Sequence, residues 1–244
     1  MTAPRVEPRL LEPLPVADRA DVLAAAVPKR FRRGETLVQE GEPGESLHLV
    51  SAGRLAVRVS TPDGATATLT VISAGDSFGE LALLGDHVRT ATVVALEPSE
   101  TLVLTRSAFD ALRRSHPGVE RALTQALARR VQELSSALLE ALYEPVERRV
   151  MARLVDLART YGAPAGPAAL GRPGSPPAAP RPGDVPRPVV VPITQDDLAG
   201  MAGTTRPTTN QVLQRLADEG VLTLGRGRIE LRDVPALRRR LDLD

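Results

Sequence analysis

Between residues 34 and 106 the apolar positions fall in short alternating or β-branched runs, punctuated by Gly34, Gly41, Gly44, Gly53, Gly64, Gly75, Gly79 and Gly85. Ser46-Leu47-His48-Leu49-Val50 reaches a turn at Ser51-Ala52-Gly53, Leu55-Ala56-Val57-Arg58-Val59 alternates, and Pro62-Asp63-Gly64 turns the chain into Ala67-Thr68-Leu69-Thr70-Val71-Ile72. A period of two predicts strands, and the close turns predict successive hairpins, hence a small β-barrel or sandwich. No helix-length segment interrupts the run, which argues against a parallel βαβ sheet with a dinucleotide site.

The period changes over 119–158. That stretch has no glycine and only Pro145 as a breaker, while Leu127, Val131, Leu134, Leu138 and Ala141 recur at four, three, four and three residues. This is the spacing of a helical seam. The stripe either packs on the β-domain before it or pairs with its own copy, and two-fold pairing is the commoner way to cover a long stripe after a compact barrel. Residues 162–192 hold ten prolines and five glycines among thirty-one, the composition of a spacer or insertion without a core. The expected organisation is a β-domain over 1–118, a dimerisation helix and hinge over 119–161, a linker over 162–192 and a compact unit over 193–244.

In that last unit, Thr194 followed three residues later by Asp197 reads as a capping box for a short helix ending at Gly203. A second helix begins at Thr205, with Pro207 in its first turn, where a missing N–H costs little. Thr209, Val212, Leu213 and Leu216 give its buried face. Thr205, Arg206, Thr208, Gln211 and Arg215 stand toward solvent, and Thr209 is counted with them as a contact candidate. The spacing matches a helix-turn-helix, whose second helix meets base edges in the major groove. Val221-Leu222-Thr223-Leu224, Gly225-Arg226-Gly227 and Arg228-Ile229-Glu230-Leu231 predict a hairpin wing with Arg226 at its tip. Residues 193–244 carry eight basic and eight acidic side chains, so net charge does not favour DNA. Their distribution does, because 198–217 has two arginines and no acid.

The 244 residues are 42% hydrophobic, with a formal charge of +1 and no cysteine. Disulfides, iron–sulfur clusters, thiolate haem and cysteine nucleophiles are thereby excluded. Phe31, Phe78, Phe109, Tyr143 and Tyr161 are the only aromatics. That is too few for a base-stacking platform, so a bound nucleic acid is expected to be duplex. His48, His87 and His116 are isolated, and hydrolase, P-loop and zinc-protease patterns are absent from the sequence, so neither an enzyme nor a metal site is expected. The opening residues carry charges and prolines unlike a signal peptide or membrane span, which predicts a cytoplasmic protein without a membrane partner.

Gly79-Glu80-Leu81-Ala82-Leu83 precedes Arg89-Thr90-Ala91-Thr92 in the strand-rich region. A glycine before a one-turn helix points backbone N–H groups at an anion, Arg89 offers a bidentate countercharge and Glu80 an acceptor for a sugar hydroxyl. Together these residues resemble the phosphate-binding cassette of cyclic-nucleotide-binding domains. With the long helix and helix-turn-helix, and with Arg33-Gly34-Glu35-Thr36-Leu37, Glu40-Gly41-Glu42-Pro43-Gly44, Ala128-Arg129-Arg130-Val131 and Gly203-Thr204-Thr205-Arg206, the chain resembles the CRP/FNR transcription regulators.

The resemblance implies an α+β protein: a jelly-roll-like nucleotide domain, a long dimerisation helix and a winged helix-turn-helix. It implies ribose contacts from Gly79 and Glu80, with Leu81 and Ala82 beside them, and cyclic-phosphate contacts from Arg89 and Thr90. Cyclic AMP is the first expected effector and cyclic GMP the second, with no metal, haem or iron–sulfur cluster; a ligand-independent regulator with a vestigial pocket is the alternative. Base contacts are implied for Leu134 and Ser135, where family members place a threonine-serine pair. DNA contacts are implied for Thr205, Arg206, Thr208, Gln211, Arg215 and Arg226. An operator duplex, a second copy of the chain and RNA polymerase are the implied partners.

Overall fold

The computed structural model describes residues 7–60, 64, 66–84, 88–162 and 188–243. His87, the turn residues Pro62 and Asp63 and most of the proline-rich segment lie outside the described residues. The chain divides into two compact units, one closing at Leu139 and the other opening at Glu140.

The first unit begins with a 3-10 turn, Arg9–Leu11, and helix α1, Val16–Ala25. Among the described residues eight strands follow: β1 Val27–Phe31, β2 Thr36–Val38, β3 Ser46–Ala52, β4 Arg54–Ser60, β5 Thr66–Ser73, β6 Ser77–Phe78, β7 Thr92–Ala95 and β8 Ser99–Thr105. They form two antiparallel four-stranded sheets, ordered β1-β8-β3-β6 and β2-β7-β4-β5. Of the expected hairpins, β4 and β5 are paired from Arg54–Ser73 to Ser60–Thr66, whereas β3 and β4 lie in different sheets, so the turn at Ser51-Ala52-Gly53 carries the chain from one sheet to the other and makes no hairpin. Phe31, Val50 and Phe78 from one sheet and Leu37, Leu55, Val93 and Ala95 from the other share one core between the sheets. Because side chains alternate along β3, Leu47 and Leu49 face the opposite way, into a second core with Leu102, Leu104, Phe109 and Leu112. That core is closed by helix α3, Arg106–Ser115, and the first turns of α4, Pro117–Tyr143.

Among the described residues between β6 and β7 stands α2, Glu80–Leu84, the single helical turn expected after Gly79. Gly79 has φ +94°, the left-handed conformation that a side chain would strain.

The expected helix over 119–161 is two helices. The chain stops at Tyr143 and restarts as α5, Val146–Gly162. Pro145 cannot donate to the helical ladder and disfavours helical geometry in the residue before it, so the ladder ends there. Across the break, Arg149 Nη1 donates 2.8 Å to the carbonyl of Ala141, and Arg153 pairs with Glu140.

The second unit also starts earlier than residue 193. α5 buries Val150, Met151, Leu154, Val155, Leu157 and Ala158 and packs on β9, Val189–Val191, and on the helices that follow. These are α6, Gln195–Met201, α7, Arg206–Asp218, and α8, Val234–Arg240. The hairpin of β10, Leu222–Gly225, and β11, Arg228–Leu231, gains β9 as a third strand beside β11.

Candidate functional site

A cavity of about 260 Å³ opens in the first unit between the strands, α2 and α4. Gly79, Glu80, Leu81, Ala82, Arg89 and Thr90 all border it, so residues ten apart in sequence meet around one space. Arg9 and Asp76 stand at its edge, joined at 2.9 Å, while the Arg9 backbone N–H donates to the carbonyl of Gly75.

Arg89 is buried, 6% exposed, although it carries a charge. Its Nη2 donates 2.8 Å to the hydroxyl of Ser46, and its Nη1 donates 3.3 Å to the carbonyl of Gly79. Two glycines make room for it. A Cβ on Gly44 would sit 3.1 Å from the Arg89 Cδ and Nε, and one on Gly79 would lie 2.7 Å from the Ser46 carbonyl oxygen and press on the guanidinium. Burial lowers Arg89 from the ordinary arginine value, and the carboxylate of Glu80 opposes that shift.

Burial has the opposite effect on Glu80, raising its carboxyl above the ordinary value against the pull of its own backbone N–H, Arg130 and Arg89. Its Oε2 is buried without a hydrogen-bond partner. A buried acceptor left unpaired costs roughly 1–3 kcal/mol until a donor reaches it. A sugar hydroxyl is such a donor, and the neighbouring guanidinium suits a phosphate oxygen.

Arg106, the first residue of α3, was not evident as a site residue. Its guanidinium donates to the carbonyls of Ala82 at 2.8 Å, Leu83 at 3.1 Å and Gly44 at 3.1 Å. It thereby satisfies orphan carbonyls at the end of α2 and fixes the turn that presents Gly79 and Glu80. The partners lie 23 to 62 residues away, so no local pattern pointed to it.

On α4 the cavity is bordered by Leu123, Ala126, Leu127, Arg130 and Glu133. Leu134 and Ser135, expected beside a base, do not border it. Leu134 is 58% exposed, and the Ser135 hydroxyl turns back to the Val131 carbonyl at 2.9 Å. The cavity-facing stripe ends one position earlier, so Arg130 and Glu133 stand at the wall in their place. Leu127 is partly buried against the β-domain core, while Val131, Leu134 and Leu138 are exposed in the single chain.

In the second unit Thr194 accepts from the Asp197 backbone N–H while Asp197 accepts from the Thr194 backbone N–H, completing the expected capping box. Gly203, at φ +60°, reverses the chain, and the Thr205 side chain caps α7 with Pro207 in the first turn. Arg206, Gln211, Arg215 and Arg226 are exposed, as is Thr205, and Thr208 is half-buried. Thr209 is corrected: it is fully buried, because it shares the face of Val212, Leu213 and Leu216, and it cannot touch DNA. Arg206 lies beside Asp196, and Arg215 beside Glu147 of α5 at 2.8 Å.

The chain thus joins a β-domain, whose cavity holds a buried arginine and a carboxylate with one unpartnered oxygen, to a winged helix-turn-helix unit. Residues 28–116 match the cyclic nucleotide-binding domain, and residues 148–240 match the Crp-like helix-turn-helix domain. The chain is 31% identical over 207 residues to the cyclic AMP receptor protein of Thermus thermophilus, covering 85% of this chain and 84% of that one. It is 27% identical to the CRP-like cAMP-activated global transcriptional regulator of Mycobacterium tuberculosis, over 87% of each. The crystal structure of the Thermus thermophilus catabolite activator protein matches at 30% identity and TM-score 0.52, covering 97% of this chain and all of that one. A further CRP-family regulator from Thermus thermophilus matches at 26% identity and TM-score 0.65, covering 88% and 96%. The chain belongs to the CRP/FNR family of transcription regulators. These relatives are regulators and not enzymes, and among the described residues no helix is long and apolar enough to cross a membrane.

Proposed function

We propose that the chain is a cytoplasmic, homodimeric regulator whose cavity binds a cyclic nucleotide, cyclic AMP first, and whose α7 reads an operator. The observation that carries this reading is the unpaired Glu80 Oε2 beside the buried Arg89 in one cavity, a donor-seeking carboxylate next to an anion-seeking guanidinium. A cyclic nucleotide satisfies both, with a ribose hydroxyl on Glu80 and the phosphate on Arg89 and Thr90. The names of the Thermus and Mycobacterium relatives support cyclic AMP. Thr90 at the cavity wall keeps cyclic GMP as the second reading, since its hydroxyl suits a guanine edge.

Control follows from the wall that α4 contributes. The same helix that borders the cavity carries the exposed seam of Val131, Leu134 and Leu138, so a ligand has differential contacts in arrangements that move α4. The seam pairs with a second copy, and RNA polymerase is the further partner of the bound dimer. Calorimetric titration with cyclic AMP and with cyclic GMP tests the proposal. One of the two should bind at micromolar concentration or below, and heat from neither overturns the proposal in favour of a ligand-independent regulator.

A further inference from the structure

The buried polar groups behind Arg89 form a chain that nucleotide contact alone does not use. Ser46 Oγ, which accepts from Arg89, lies 3.1 Å from Nε2 of His48, and His48 Nδ1 lies 3.2 Å from the hydroxyl of Thr101. His48 is 3% exposed and Thr101 is fully buried. The imidazole stacks on Phe78, with ring centroids 4.7 Å apart and planes inclined by 17°. Ser46 and His48 stand on β3, Phe78 on β6 and Thr101 on β8, neighbouring strands of one sheet, so the ladder hydrogen bonds hold the whole chain of groups in register.

A guanidinium only donates, so Ser46 Oγ accepts from Arg89 and keeps its own hydrogen for a further acceptor, which His48 Nε2 at 3.1 Å supplies when that nitrogen is unprotonated. In that tautomer the ring proton sits on Nδ1 and is donated to Thr101 Oγ1. We propose that His48, held by Thr101 and Phe78, is a positioning residue that fixes the Ser46 hydroxyl and through it the Arg89 guanidinium for an incoming phosphate. This rests on the reading of the cavity as a cyclic-nucleotide site.

The arrangement has a physical purpose. An arginine side chain gives up rotamer freedom when it is fixed, and a guanidinium already oriented does not lose it again on binding. Ser46 and the Gly79 carbonyl together hold the two Nη atoms, and the remaining donors of Arg89 are left for the ligand. A neutral imidazole is required throughout, and burial, helped by the positive charges of Arg89 and Lys29, lowers His48 to about 4.

Two substitutions separate positioning from packing. His48→Phe keeps a ring to stack on Phe78 and loses both nitrogens, whereas His48→Gln loses the ring and keeps a carbonyl oxygen near the place of Nε2. Positioning predicts that cyclic AMP affinity falls roughly tenfold in His48→Phe and in Ser46→Ala but only two- to threefold in His48→Gln. The reverse order for the two His48 variants, or no change in Ser46→Ala, overturns the proposal. Nitrogen-15 NMR of the wild-type protein reads the tautomer without any variant. At pH 7 His48 should carry its proton on Nδ1, and a proton on Nε2 or on both nitrogens overturns the proposal. A wild-type chain that binds neither cyclic AMP nor cyclic GMP removes the cavity reading itself, and the proposal with it. Wild-type binding with unaltered variants removes the positioning role alone.

Discussion

Arg206, the first residue of α7, holds its Nη1 3.4 Å from the Oδ2 of Asp196 in the first turn of α6. Both side chains are more than 60% exposed, so the pair adds little to stability. It places a carboxylate against the guanidinium expected to meet a base, in a stretch whose own sequence looked free of acids. Arg206→Ala should cost about 1–3 kcal/mol and relax the preference at one position in each half-site, through loss of a bidentate contact to guanine. Arg226→Ala, at the wing tip, should weaken all sequences alike and flatten the salt dependence. Selection from random duplexes with both variants checks the difference. Retained sequence preference in Arg206→Ala, with only general affinity lost, contradicts the assignment.

Removing the charge of Glu80 should trade binding for stability. Its carboxyl is raised by burial, so the ionised form is disfavoured in the fold; that cost is present above the unfolded value of 4.5 and is relieved as the acid takes up a proton. Glu80→Gln should therefore raise the melting temperature of the ligand-free protein at pH 7 and lower its affinity for cyclic AMP by tens-fold. Scanning calorimetry and titration of the same sample measure both signs.

His48 has the opposite linkage. Its folded value is about 4 against 6.5 in the unfolded chain, so above pH 6.5 both states are neutral and the group exerts no pH dependence. As pH falls from 6.5 toward 4 only the unfolded chain takes up this proton, and the fold loses on the order of 3 kcal/mol. Denaturant melts of wild type and His48→Phe should diverge in slope over that window and run parallel above it.

Val131 and Leu138 are both at least 60% exposed along α4 in the single chain. Changing both to Asp should yield monomers that bind DNA weakly, since one half-site contact is weak alone and paired sites lie about 34 Å apart. Sedimentation at micromolar concentration shows the change, and a wild-type monomer in the presence of cyclic nucleotide and DNA contradicts the seam.

The parts of the site legible in the sequence were those whose partners are close along the chain. Thr194 and Asp197 are three residues apart and announce their capping box; Gly79, Glu80 and Arg89 belong to one compact motif. Ser46, His48 and Arg106 reach the same motif across 43 residues or 23 and more, through strand pairings that no local pattern records. Thr209 stood both on the buried face and among the contact candidates, and its place in the period of Val212 and Leu216 decides for burial. Leu134 and Ser135 matched by alignment of motifs, but the cavity ends at Glu133 on that helix.

The central claim is that cyclic nucleotide and DNA binding are coupled, and fluorescence anisotropy measures it directly on a duplex selected by the wild-type protein with cyclic AMP present. Saturating cyclic AMP should tighten wild-type binding by about 5–150-fold, the usual span of a coupling of 1–3 kcal/mol, and leave Arg89→Ala at the affinity of the ligand-free protein. Equal affinity with and without the nucleotide in the wild type, or equal tightening in Arg89→Ala, contradicts the account.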